Sequence, residues 1–250
     1  MRKSGQMGAR MEEKKKILAI DSSGLVASVA VICGDELTAE YTVNYKKTHS
    51  QTLLPMLEEI KKMTELELDS IDAIAVSAGP GSFTGLRIGS ATAKGLGLAL
   101  EKPLIAVPTV DGLAFNLYGV EKYICPIMDA RRNQVYTGVY RFRRQEGQWE
   151  LEVIKSQCAV SIDELIGFLN EAGEEVIFLG DGVPVFKEDI AANIKVPYSF
   201  APAHMNRQRA ASVGALGRIY LEQGKIQTVA EHEPEYLRMS QAERERLEKS

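Results

Sequence analysis

The chain has 250 residues, 45% of them apolar and 26% charged, with a formal net charge of −4 and a pI near 5.6. That balance supports one large or two modest folded domains with a real core. It excludes a nucleic-acid binder of the strongly basic, stand-alone kind, so any contact with nucleic acid would be local or made through a partner.

Three cysteines, Cys33, Cys125 and Cys158, occur without a C-x-x-C pair. An odd number so spaced argues against a disulfide framework and against a thiolate zinc site, and fits a reducing cytoplasm. All three lie in apolar stretches and read as small core residues. No apolar run reaches the ~18 residues of a membrane span. Residues 1–16 are polar and basic, and Asp21 interrupts the apolar run that follows, so they read as a flexible leader rather than a signal peptide. Met7 or Met11 offers an alternative start.

Residues 17–23 (ILAIDSS) read as a buried strand and 25–33 as an alternating one. Gly34-Asp35 makes a hairpin turn into a third strand over 37–43, giving a meander. The period then changes. Leu53, Met56, Leu57, Ile60 and Met63 recur at helix spacing, and Pro55 confines the helix start to about Thr52. Residues 71–77 form a fully apolar run, the mark of a central parallel strand. A Gly/Pro turn over 78–82 leads into a long helix to about Leu100, then a strand at 104–107 and a short helix at 109–118.

The order βββαβα then restarts. Residues 123–130 are apolar and carry Asp129, as 17–21 end in Asp21, and a hairpin-like strand follows each Asp by about eight residues, at Val29 and Thr137. Strands are expected at 135–142 and within 149–160. Ser161-Ile162-Asp163-Glu164 is a capping box opening a helix that ends near Gly173. A buried strand at 175–179, the turn Gly180-Asp181-Gly182 and helices near 184–192 and 207–222 complete the pattern. A duplicated βββαβα unit is the layout of the actin-like (ASKHA, ribonuclease H-like) α/β superfold; two unrelated α/β domains are the alternative. The lobes are expected at 17–108 and 109–230, with a charged tail at 231–250 whose last stretch, 242–250, reads as a solvated helix or frayed end.

The Gly-rich segment Gly79-Pro80-Gly81-Ser82 sits between strand and helix, where phosphate-binding loops occur. It matches neither a Walker A nor a dinucleotide fingerprint, and a tight turn with Ser82 as helix cap is the simpler reading. Gly85, Gly89, Ala93 and Gly97 then form a ladder of small residues. Glycine in a helix costs about 1 kcal/mol against alanine, so the ladder implies close approach of another backbone, either internal or from another subunit. Asp21 and Asp129 are candidates for holding a metal-bound water beside a phosphate, or simply for capping turns. Arg131-Arg132 and Arg141, Arg143 and Arg144 form basic patches that read as solvated or as a nucleic-acid contact. His49, His204 and His232 are widely spaced, and no G-x-S-x-G elbow is present.

The run from Asp72 to Gly89, DAIAVSAGPGSFTGLRIG, resembles the TsaB (YeaZ) family. So do the ILAIDSS start, His49-Ser50-Gln51 leading into Leu53-Leu54-Pro55, Pro103 to Val107, and Pro234-Glu235-Tyr236-Leu237-Arg238. The resemblance covers about residues 17–238 and is strongest to about residue 115. It implies a paralogue of TsaD, the enzyme that transfers threonylcarbamoyl from its adenylate to N6 of the adenosine beside the anticodon. TsaD-type proteins carry a metal-binding His-x-x-x-His pair after the corresponding strand. Here Thr109 and Leu113 stand in its place.

The resemblance therefore implies a cytoplasmic, non-catalytic subunit without metal or cofactor. Such a subunit binds and activates a TsaD-type partner, is joined by a TsaE-type ATPase, meets tRNA only through the complex, and pairs with itself when TsaD is missing. The expected interface is the pair of N-lobe helices, with Leu53, Leu54, Leu57, Phe83, Gly85, Arg87, Gly89 and Ala93. The rival reading is a small-molecule kinase or ATPase of the same superfold using Asp21 and Asp129. Its adenosine segment would have to be the Gly180-Asp181-Gly182 turn.

Overall fold

The computed structural model describes residues 14–45 and 48–238. The expected leader up to residue 13 and the charged stretch 242–250 lie outside the described residues. Lys16 already begins the first strand, where its N–H donates to Asp72 Oδ2 at 2.8 Å.

The period-2 and continuous apolar runs become strands β1 (Lys16–Asp21), β2 (Val26–Cys33), β3 (Glu36–Asn44), β4 (Ala73–Gly79) and β5 (Leu104–Pro108). The second half supplies β6 (Tyr123–Asp129), β7 (Gln134–Gln145), β8 (Gln148–Ser161), β9 (Val176–Leu179) and β10 (Tyr198–Phe200). They form two sheets, ordered β3-β2-β1-β4-β5 and β10-β9-β6-β7-β8. In each sheet three strands make an antiparallel meander and two more add in parallel beside the first. Numbered within its own half, each sheet reads 3-2-1-4-5, so the faint sequence repeat is a true duplication and the fold is two actin-like α/β lobes. β4 is buried at every position, as a strand between two parallel neighbours must be.

Helices α1 (Leu53–Thr64) and α2 (Phe83–Leu100) cover one face of the first sheet. Pro55 falls in the first turn of α1, where no amide hydrogen is required. Leu53, Met56, Leu57 and Ile60 of α1 are buried, but Met63 is 73% exposed. It lies in the last turn, outside the arc held by Leu53, Leu57 and Ile60, so it drops out of the expected stripe. Ser82 caps α2 by accepting from the Gly85 N–H. Helix α3 (Thr109–Phe115) stands between the sheets, its Val110, Leu113 and Ala114 packing with Ile124, Tyr140 and Phe142 of the second lobe. α4 (Ile162–Ala172), capped by Ser161 and ended by Gly173 at positive φ, and α5 (Val183–Asn193) cover the outer face of the second sheet. Glu146 and Gly147, both at positive φ, make the tight turn between β7 and β8.

The chain then crosses back. α6 (Ala210–Glu222) packs on the first sheet, with Ala210, Val213 and Leu216 among Ile17, Ala19, Ala73, Ala75 and Ile105. Gly217 lets it sit close, since a Cβ there would stand 2.7 Å from that of Ala75. Beyond α6 the chain runs first along the first lobe. Gln227 bridges to Leu104, and Lys94 donates to the carbonyl of the fully buried His232 at 2.8 Å. Within the expected charged tail, residues 231–238 are thus held against the fold by buried His232, while Glu231, Glu233, Glu235 and Tyr236 stay exposed.

Candidate functional site

The duplication leaves a cleft of about 660 Å³ between the lobes. Its first-lobe wall is the loop after β1 (Ser23, Gly24, Leu25), His49 and the start of α2. Its second-lobe wall is the end of β6 (Met128 to Arg131) with Asp181 and Val185, and residues 235–238 line its mouth. The two aspartates that end the equivalent strands therefore lie near one cavity, but they do different things.

Asp21 is turned inward. It is 2% exposed, and its carboxylate accepts from the Ser23 N–H (2.9 Å), the Ser23 hydroxyl (2.7 Å) and the Ser77 hydroxyl (2.7 Å). Burial holds its pKa above the ordinary carboxylate value even against those donors. Asp129 lines the cleft but is engaged with Arg131, accepting from its N–H at 2.8 Å and pairing with its guanidinium at 3.1 Å. Asp181, in the turn after β9, is also raised by burial, against the opposing charge of Arg207. Its Oδ1, His49 Nδ1 and both amide atoms of Gln208 are buried without a protein partner. All three side chains surround Gly24, whose carbonyl bonds to His49 Nε2 at 2.8 Å and whose missing Cβ leaves room for Gln208 and Asp181. Gln208 carried no sequence signal, because it lies in a polar stretch without periodicity.

The Gly-rich turn, which spacing alone left open as a phosphate cradle, is filled by the chain itself. The Ser82 N–H donates to the Ser23 carbonyl at 2.7 Å, and the Glu235 N–H donates to the Ala78 carbonyl at 2.6 Å. Gly79, at φ +125°, lies so close to Glu235 that a Cβ would overlap its carbonyl oxygen; Gly81 faces the Ser23 carbonyl in the same way. The glycines are there for these close backbone approaches.

The expected interface residues divide. Leu53, Leu57, Gly85, Gly89 and Ala93 are buried within this chain. The ladder approaches the end of β1: Ser22 Oγ donates to the Gly85 carbonyl at 2.9 Å, and Cβ atoms on Gly85 or Gly89 would overlap Ser22. Of the two possibilities for the ladder, internal approach is the one realised. Leu54 and Arg87 are exposed, and Phe83 is half-buried against Tyr236, with ring centroids 4.7 Å apart. The outward face of α2 carries Arg87, Ala91, Gly95 and Leu98, all exposed, and Gly95 has nothing within 4 Å of where a Cβ would be. Sequence reading missed this second small-residue pair because the inner ladder is longer and better spaced.

Thr109 and Leu113 are both buried on α3. Leu113 has no donor atom and a threonine hydroxyl is a poor ligand, so the pair does not fit a metal, although Thr109 Oγ1 is buried without a partner. Among the described residues no group of three or more His, Cys, Asp or Glu stands close enough to hold one. Two arginines of the hairpin patch share a carboxylate: Arg141 Nε and Arg143 Nε both donate to Glu152 Oε2, at 2.5 and 2.6 Å. Among the described residues no helix is long and apolar enough to cross a membrane.

The sequence profile of the family described as "TsaD: tRNA N6-adenosine threonylcarbamoyltransferase" matches residues 36–246. The Bacillus subtilis "tRNA threonylcarbamoyladenosine biosynthesis protein TsaB" is 32% identical over 232 residues, covering 93% of this chain and 98% of that one. A "tRNA N6-adenosine threonylcarbamoyltransferase" of Novosphingobium aromaticivorans is 30% identical over 141 residues, 54% of this chain and 37% of that one. Among solved structures, "YeaZ from Pseudomonas aeruginosa" superposes with a TM-score of 0.74 at 26% identity, over 89% of this chain and 100% of that one.

Proposed function

The chain belongs to the TsaB (YeaZ) family, and on that premise we propose that it serves threonylcarbamoyladenosine formation in tRNA as a non-catalytic subunit. It binds and activates a TsaD-type transferase. The observation that carries this reading is the pair Thr109 and Leu113. The family resemblance puts them where the transferase carries its metal-binding histidines; both are buried, Leu113 in the packing between the lobes. The transferase chemistry and its metal then belong to the partner, a TsaE-type ATPase joins the pair, and tRNA is met through the assembly. The kinase or ATPase reading of the same fold needs Asp21 to face the cleft. Asp21 instead spends its acceptors on Ser23 and Ser77, and the turn beside it is filled by Glu235.

The proposed docking face is the exposed side of the two N-lobe helices: Leu54 on α1, and Arg87, Ala91, Gly95 and Leu98 on α2. Alanine and glycine there admit a partner helix closely. Arginine is among the side chains that most often dominate binding, and the exposed Leu54 and Leu98 add apolar area to bury. The same face pairs two copies when the transferase is absent. Reconstitution tests the reading. Purified chain, TsaD-type subunit, TsaE-type ATPase, ATP, threonylcarbamoyl-adenylate and tRNA are combined with one component left out at a time. Modified adenosine should form only when this chain and the transferase are both present. Turnover by this chain without the transferase, or full turnover without this chain, would overturn it.

A further inference from the structure

Residues 231–238 touch both lobes. On the first lobe the segment is anchored at four points. Lys94 holds the His232 carbonyl, the Glu235 N–H donates to Ala78, Tyr236 stacks on Phe83, and Arg87 Nε donates to the Tyr236 hydroxyl at 3.3 Å while its guanidinium lies 4.0 Å over the Phe83 ring. On the second lobe Gln157 Nε2 donates to Glu235 Oε2 at 2.7 Å, and the Arg238 guanidinium donates to the carbonyls of Ala130 and Arg131. Between these anchors the segment forms the rim of the cleft.

The second-lobe anchors are few and polar, whereas those on the first lobe include a main-chain bond and a packed aromatic pair. A strap with one firm and one light end can let go at the light end without unfolding. The carbonyls that Arg238 holds belong to Ala130 and Arg131. Arg131 begins a run of three residues at positive φ, with Arg132 and Asn133. Such non-glycine positions persist only where surrounding structure holds them, and Arg238 is part of that support.

We propose that residues 234–238 are a latch that fixes the spacing of the two lobes, with Arg238 and Glu235 as its release points and the Phe83–Tyr236–Arg87 cluster as its fixed end. Releasing the latch widens the cleft and exposes its floor at Gly24, His49 and Asp181. The latch concerns the lone chain and stands apart from the partner reading. Because Arg87 belongs to both the fixed end and the exposed face of α2, a protein seated there acts on the latch directly.

The test measures lobe spacing in the full chain. Spin labels are attached to azido residues introduced at Leu25 and Val185, which are exposed and line opposite walls, so the three cysteines stay untouched. Arg238→Ala and Gln157→Ala each remove second-lobe anchors; Tyr236→Ala removes the fixed end, and Tyr236→Phe keeps the stack. A charge-assisted hydrogen bond lost from such an anchor corresponds to about tenfold more frequent opening. The expected result is a longer, broader distance distribution in Arg238→Ala and Tyr236→Ala, near native in Tyr236→Phe. Hydrogen exchange at residues 22–25 and 81–85, which Arg238 does not touch, should quicken by about that factor in Arg238→Ala. Unchanged distances in Arg238→Ala and Gln157→Ala, with faster exchange confined to 234–238 and 130–133, would overturn the latch. Should Tyr236→Ala melt early, the two second-lobe variants decide, because each removes one half-buried polar side chain and leaves the aromatic stack in place.

Discussion

Ser22 and Gly85 are locked together: the Ser22 hydroxyl donates to the Gly85 carbonyl at 2.9 Å, and the Ser22 carbonyl occupies the place a Gly85 Cβ would need. The small-residue ladder of α2 therefore seats the end of β1 and cannot also receive another subunit. A methyl on Gly85 meets main chain, which has nowhere to go, whereas one on Gly89 meets the Ser22 hydroxyl, which can rotate away at the expense of its bond. Gly85→Ala should cost about 1–3 kcal/mol, as overpacking does, and Gly89→Ala less. Gly95→Ala should stabilise by about 0.5–1 kcal/mol, because that position is helical and has open space around it. Urea unfolding of the three variants checks the order. Equal midpoints for Gly85→Ala and Gly95→Ala would contradict the packing.

Asp21 gives the chain a pH dependence with a defined sign. Burial raises its folded-state pKa above the ordinary 3.8. Between the unfolded and the folded value the native state then binds the proton more readily, so stability falls as pH rises through that window and the loss is complete above the folded pKa. Asp111, on α3, and Asp181 are raised by burial too and act in the same direction. Asp21→Asn removes the buried charge. Its amide can still accept from Ser23 and donate to Ser77, whose hydroxyl can turn to accept. Stability measured from about pH 4 to about pH 8 should fall less steeply in Asp21→Asn than in the native chain. Identical slopes would mean that Asp21 keeps an ordinary pKa.

What could be read without coordinates follows from what sequence encodes locally. β4 was legible because an apolar run between turn signals fits only a central strand, and Ser82 and Ser161 because a cap is a local bond. β10 was not, being three residues after Pro197 with no room for a pattern. The placement of α6 was invisible for another reason: its periodicity reports an apolar face, not which sheet that face will meet. The ladder from Gly85 to Gly97 announced a close approach without naming Ser22 as its object. The strap at 231–238 is held largely by main-chain carbonyls and one aromatic stack, so its composition showed only a charged tail and not the contacts that hold it.

Cys125 should behave as core. It is fully buried on β6 with its Sγ 3.6 Å from Thr137 Oγ1, and burial pushes its thiol up to about 12. At about pH 7 roughly one such thiol in 100,000 is ionised, and the thiolate is the reactive form. Cys33 and Cys158 are half-buried. With excess iodoacetamide, peptide mass spectrometry should find modification at Cys33 and Cys158 before any at Cys125, which should react only after denaturation. Modification of Cys125 in the folded chain would contradict its position in the sheet.

The partner face makes the sharpest contrast between two glycines of one helix. Gly89 and Gly95 are six residues apart on α2, so they lie about 120° apart around it, on different faces: Gly89 faces Ser22, and Gly95 faces solvent beside Ala91 and Leu98. A glutamate at position 89 must displace Ser22 and bury an unpaired charge, which is among the costlier single changes a core can suffer. Gly89→Glu should therefore collapse the melting transition, and any loss of binding would follow from unfolding. Gly95→Glu places the same side chain in water. It should melt within a few degrees of the native chain, yet block the close approach of a partner helix, with a loss of at least about 2 kcal/mol, roughly thirtyfold in affinity. Leu54→Glu, on the neighbouring helix, should weaken binding in the same assay because Leu54 is 54% exposed and touches no core it could disrupt. Calorimetric titration of each folded variant into the TsaD-type subunit reads the effect, and sedimentation of the lone variants reads self-pairing on the same face. If Gly95→Glu and Leu54→Glu both bind with native affinity, the transferase docks elsewhere on the chain.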